Sequence, residues 1–110
     1  MTWDFGGYSF TSHKKLIFPL ENDHKGIYFI DKTKDSSDKI QRVYIGETRD
    51  QTFGERITKS HHKHDCWVDT LGNSEYLIIA FHNMDNSTDE EIGEVESDLR
   101  SKKSTSCNDD

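Results

Sequence analysis

The sequence predicts an α+β fold: a three-stranded antiparallel sheet flanked by helices, in the order β-β-α-β-α. Three observations predict it. Two β-branched and aromatic runs, 26–30 and 42–46, stand either side of a polar loop. A nearly all-apolar run of strand length, 75–82, follows later. Helix-start signals open a segment after the second run and another after the third.

The elements follow in chain order. Met1 to Ser12 is rich in Gly and aromatics, shows no sustained period, and reads as an ordered arm packing onto the domain. The arm is taken to extend to residue 25, with the domain proper over 26–110. Leu16 to Leu20 is a short apolar run that Pro19 demotes to an edge strand or extended segment. Gly26-Ile27-Tyr28-Phe29-Ile30 is the first long strand. Asp31 to Lys39 holds no apolar residue and reads as a hairpin loop. Arg42-Val43-Tyr44-Ile45-Gly46 is the second strand, antiparallel to the first because the loop is short.

Asp50 and Thr52 are both N-cap candidates for a helix over about 51–62. Cys66 to Ser74 carries Trp67, a core candidate, and the turn signal Leu71-Gly72-Asn73. The run at 75–82 suits a central strand covered on both faces. Thr88 with Glu91 fits a capping box opening a helix over about 89–103, with Ile92, Val95 and Leu99 as its apolar stripe. Ser104 to Asp110 reads as a loose tail.

The chain has 110 residues, enough for one modest core. Its net charge is -7. Lys and Arg displace condensed counterions from phosphates, so an acidic chain is expected to bind nucleic acid weakly and with steep salt dependence. Lys14, Lys15, Lys25, Lys32, Lys34, Lys39, Arg42 and Arg49 are the cations available to flank a groove. Cys66 and Cys107 are expected to be free thiols in a reducing cytoplasm. No apolar run approaches the ~18 residues of a membrane span.

Gly26-Ile27-Tyr28 and Tyr44-Ile45-Gly46, on adjacent predicted strands, resemble the paired tripeptides of the GIY-YIG nuclease superfamily. Arg56 stands where that family has an Arg on the following helix. Glu96 and Asn108 stand where it has a Glu on a later helix and an Asn beyond it. The resemblance covers roughly 26–108. Two departures are visible. The family's common Pro before that Asn is absent, with Thr105 near its place. The His one turn after the Arg is displaced, so that His61 is the nearest match.

The resemblance implies a metal-dependent endonuclease, a phosphodiester hydrolase acting on nucleic acid, with DNA ahead of RNA. Tyr44 is then the general base, and Tyr28 its neighbour orienting water or phosphate. Arg56 holds phosphate, His61 takes a proton or contacts phosphate, and Glu96 binds Mg²⁺ or Mn²⁺. Gly26, Gly46 and Asn108 are the other motif positions. Helical geometry supports Glu96 independently: at about 100° per residue it borders the Ile92-Val95-Leu99 stripe, while Glu90 and Glu94 point away. A single carboxylate suffices for Mg²⁺, which keeps waters and substrate oxygens as its other ligands.

Two alternatives stand beside this. One is a non-catalytic nucleic-acid-binding or interaction module of the same fold. The other is a small zinc protein using His61, His64 and Cys66. Because no specificity domain is visible, a partner protein or a homodimer is expected to supply it. No membrane association is expected.

Overall fold

The computed structural model describes residues 2–108; Met1 of the expected arm, and Asp109 and Asp110 of the expected tail, lie outside the described residues. Among the described residues the architecture is α+β, with antiparallel sheets and three helices. The main sheet contains β3 (Lys14–Lys15), β4 (Gly26–Thr33), β5 (Gln41–Glu47) and β6 (Tyr76–Asn83) in the order β3-β6-β4-β5. It therefore has four strands, not the expected three. The fourth is a two-residue edge strand, Lys14 opposite Ile79 and Lys15 opposite Ile78, too short and too charged to carry a strand signal.

The first residues form a separate hairpin of β1 (Thr2–Phe5) and β2 (Tyr8–Thr11). Gly6 and Gly7 both have positive φ, which a two-residue hairpin turn of the primed type requires. The segment does have a period: Trp3, Phe5, Tyr8 and Phe10 alternate with polar residues. Trp3, Phe5 and Phe10 pack against Phe29, with Phe10 stacked on it at 4.0 Å between ring centroids.

Period two divides β4 between two cores. Ile27 and Phe29 join Ile45, Ala80, Phe10, Ile92 and Leu99 on one face. Tyr28 and Ile30 join Tyr44, Phe53, Ile57, Trp67, Ile79 and Phe81 on the other. Tyr28 pairs with Gly46 and Ile30 with Tyr44, so the two tyrosines are diagonal neighbours on one face. A bulge at Val43, opposite the Ile30–Asp31 step, then interrupts the alternation toward the hairpin end. Gly26 sits at φ +146°, and a Cβ there would lie 2.2 Å from the His82 carbonyl oxygen; only glycine lets β4 start so close to β6.

The first helix is shorter than expected. Thr52 caps it in a reciprocal capping box with Glu55, but α1 spans only Phe53–Arg56. Ile57 leaves the helical region and is fully buried. The Thr58 hydroxyl and carbonyl then take the Ser60 and His61 amides, closing a local turn in place of further helix. The expected turn region after Cys66 instead contains α2 (His64–Asp69), with Trp67 buried beneath it. The last helix, α3 (Asp89–Lys102), carries the expected Thr88–Glu91 capping box.

The tail is not loose. Thr105 and Cys107 are buried, and Cys107 is joined to Cys66 in a disulfide, 5.9 Å between Cα atoms. The expectation of free thiols is thereby corrected, and with it the premise for a reducing compartment. Asn108 lies along β5, accepting from the Ile45 amide at 2.8 Å and donating to its carbonyl at 2.9 Å. Among the described residues no helix is long and apolar enough to cross a membrane.

Candidate functional site

A cavity of about 410 Å³ opens at the C-terminal end of β5. Tyr44, Glu47, Arg49, Arg56 and Glu96 are among the residues lining it. They reach it from four parts of the chain. Tyr44 comes from the strand, Glu47 from its last position, Arg49 from the following loop, Arg56 from the end of α1, and Glu96 from the middle of α3. Because β5 is the outermost strand, a side chain on α3 can reach round its edge.

Tyr28 lies behind Tyr44, almost fully buried, with ring centroids 6.0 Å apart. Gly46 makes the pair possible. A Cβ on Gly46 would fall 2.3 Å from the Tyr28 ring and 2.7 Å from that of Tyr44. The motif glycine is the space into which two aromatic rings fold.

His61 stands behind the tyrosines, and only 6% of it is exposed. Its Nδ1 accepts the Lys63 amide at 3.0 Å, so the proton of the neutral ring resides on Nε2. That Nε2–H donates to the Tyr28 hydroxyl oxygen at 2.7 Å. Burial, and then the neighbouring Tyr44, pushes the Tyr28 hydroxyl well up, while the Tyr28 hydroxyl works to lower that of Tyr44. Burial, followed by the charges of Arg56 and the neighbouring histidines, depresses His61 to about 3. His61 is therefore a neutral donor at the back of the site, not a proton acceptor at its rim. His62, the outer neighbour, receives the Arg56 guanidinium at 3.3 Å on Nδ1.

Burial and then the Glu96 charge raise Tyr44, while the Tyr28 contact, Arg56 and Arg100 lower it. Burial first, then Glu47, raises Glu96; Arg100, 3.7 Å away, and Arg49 oppose them.

Glu47 escaped the sequence reading. It shares the Ile45 face by alternation, and a carboxylate on a helix-covered face was the available signal. Its Oε1 accepts from Arg49 Nε at 2.7 Å, and its Oε2 is buried with no hydrogen-bond partner. An orphaned carboxylate oxygen near the Glu96 charge, in a cavity that also holds tyrosine and arginine, fits a hard divalent cation. Among the described residues no three His, Cys, Asp or Glu side chains gather into a metal-binding group, so most of such an ion's ligands would be water and substrate oxygens. The zinc reading fails at Cys66, whose sulfur is in the disulfide and cannot ligate as a thiolate.

The structure thus brings Tyr44, Arg56 and Glu96 to one cavity, with Tyr28 and His61 behind it. Gly26 and Asn108 lie away from it, holding backbone. Arg49, one of the cations expected to flank a groove, lines the same cavity as Arg56. Comparison of the chain with protein-family models, curated proteins and solved structures finds no match.

Proposed function

We propose that the chain is a metal-dependent endonuclease of the GIY-YIG type, hydrolysing phosphodiester bonds in nucleic acid, with DNA as the preferred substrate. The observation that carries this reading is the meeting of Tyr44, Arg56 and Glu96, from three separate elements, around one cavity.

Glu96 and Glu47 would hold Mg²⁺ or Mn²⁺. When bound, such an ion polarises the phosphate and stabilises the leaving oxygen. Arg56 presents a planar fork of donors to the scissile phosphate. Tyr44 takes the proton of the attacking water, which requires that it first lose its own. Burial and then the Glu96 charge oppose that loss, while the Tyr28 hydroxyl, Arg56 and Arg100 favour it. His61 orients Tyr28: with its own proton fixed on Nε2, it leaves the Tyr28 hydroxyl hydrogen to point at Tyr44. Specificity falls to a partner protein or a second copy of the chain. The cytoplasmic location expected from free thiols now depends on whether the Cys66–Cys107 bond exists in the cell, since such bonds are rare in reducing compartments.

The test is a panel of supercoiled plasmid, branched and single-stranded substrates incubated with Mg²⁺, Mn²⁺ or EDTA. Nicking with either metal and none in EDTA is expected, together with its loss in Tyr44→Phe. Binding without cleavage under every metal condition would falsify the reading. It would leave the non-catalytic module, which the deep burial of Tyr28 and raised pKa of Tyr44 favour.

A further inference from the structure

The largest of the described cavities, about 560 Å³, lies at the other end of β5. Lys32, Lys34, Lys39, Arg42 and Lys103 line it, against the single carboxylate of Glu75. In a chain with 14 basic and 21 acidic residues this is a marked local reversal. The cavity beside Tyr44 holds Arg49 and Arg56 against Glu47, Asp50 and Glu96.

Two of the five cations are already neutralised. Lys32 lies 3.1 Å from Glu75. Arg42 donates twice to buried Asp31 and stacks over Phe29 at 3.9 Å. Lys34, Lys39 and Lys103 carry no ion pair among the described residues and supply the excess. They come from two elements that converge, the β4–β5 hairpin loop and the end of α3. Exposed Ile40 and the hydroxyls of Thr33 and Ser37 also line the cavity.

Its position relative to the candidate site is informative. Gln41 and Lys103 line this cavity, while Glu47 and Glu96 line the other. The two therefore open at opposite ends of one seam between β5 and α3. Six strand residues at ~3.3 Å each separate Gln41 from Glu47, or about 20 Å.

We propose that the Lys34–Lys39–Lys103 cavity grips the phosphate backbone of a DNA duplex about six base-pair steps from the bond at the Tyr44 cavity. The site rests on the nuclease reading for what happens at the far end of the seam. The axial rise of a duplex is about 3.4 Å per step, so about 20 Å is about six steps. The strand has then turned to the far side, so the two cavities would meet phosphates of opposite strands across a groove, which the stiff duplex holds in place without ordering the chain. A flexible single strand must be ordered to do the same. Concentrating the positive charge here lets an acidic protein hold a polyanion while its metal cavity stays acidic.

Duplex binding is measured by fluorescence anisotropy in EDTA, where nothing is cut, across a salt series. The triple variant Lys34→Ala, Lys39→Ala, Lys103→Ala should weaken binding at least tenfold at low salt. It should also flatten the slope of log affinity against log salt by about 2.7, one contact's worth for each lysine lost. The triple Lys14→Ala, Lys15→Ala, Lys59→Ala, elsewhere on the surface, should change neither much. On the wild-type protein, duplex should protect Lys34, Lys39 and Lys103 from amine acetylation read by mass spectrometry, a result independent of any variant's folding. Equal losses in both triples, absent protection, or single strands bound as tightly as duplex would overturn the proposal. If duplex binds through these lysines but no metal supports cleavage, the nuclease reading alone fails.

Discussion

Tyr28 and Phe29 are neighbours on β4 and face opposite ways. Phe29 looks into a core of Phe10, Ile27, Ile45, Ala80, Ile92 and Leu99, with Arg42 lying flat on its ring. Tyr28 looks into a core that also buries His61, the ring of Tyr44, an unpartnered Trp67 indole N–H and a disulfide. One face excludes water from hydrocarbon; the other encloses groups that must be oriented as well as covered. The contrast shows that a period of two lets one strand serve stability and chemistry at once. A substitution can strike either one by moving a single residue along the chain.

The sharpest way to break this division is Phe29→Ala. Removing a buried aromatic that stacks on Phe10 should cost about 3–5 kcal/mol, read by urea denaturation. Tyr28→Phe keeps the ring and should cost less, about 1–3 kcal/mol for the stranded His61 donor. Equal losses would mean that the two faces are not different in kind.

Next in size is the disulfide, which belongs to the Tyr28 face alone. It closes a loop of sequence separation 41, for which chain entropy gives a stabilisation of about 4 kcal/mol. Denaturation with and without reductant should show that loss, and Trp67 fluorescence should report it first. An unchanged midpoint in reductant would remove the bond from any role in stability.

Glu96→Gln probes the chemistry without the packing. Loss of a charge-stabilising group in an active site costs on the order of 10²–10³ in rate. Stability should hardly fall, because the Glu96 carboxylate is already opposed by Glu47. Glu94→Gln, on the exposed side of α3, should cut plasmid at the parental rate. Parental rates from both variants would discard Glu96 as a metal ligand.

The last effect is one of pH, spread over several units. His61 titrates near 3 in the folded protein and near 6.5 when unfolded. The unfolded chain therefore binds the extra proton first as pH falls. The stability from neutral His61 is complete above about 6.5 and declines toward pH 3, by up to about 1.4 kcal/mol per pH unit. Denaturation midpoints at pH 7, 5 and 4 should fall more steeply for the wild type than for His61→Asn. Parallel acid limbs would mean that His61 is not held neutral.

Much of this division was legible in the sequence, for physical reasons. The runs around Phe29, Ile45 and Ile79 are apolar enough to be strands in any context. Thr88–Glu91 is a local motif needing only four residues. What was not legible depends on distance. The end of α1 at Arg56 is set by Ile57 finding its pocket and His61 finding Tyr28, neither visible in the local pattern. Cys66 and Cys107 are brought together by folding alone. Glu47 was legible in principle, as a carboxylate on a buried face, and so was the Gly6-Gly7 hairpin. The candidate site was legible only through resemblance, since nothing in spacing alone brings Tyr44, Arg56 and Glu96 together.

Asn108 carries one further consequence. A sheet that ends in a bare strand offers its unpaired amides and carbonyls as a template for another chain, which is how ordered aggregates begin. The side-chain amide of Asn108 occupies the Ile45 amide and carbonyl, and the Cys107 amide occupies the Val43 carbonyl. The last described residues thus act as a surrogate strand, fastened by the Cys66 sulfur. Cutting that fastening should loosen the cover along with the fold. The reduced protein should then self-associate at concentrations where the oxidised protein scatters no light, with Asn108→Ala moving part of the way there.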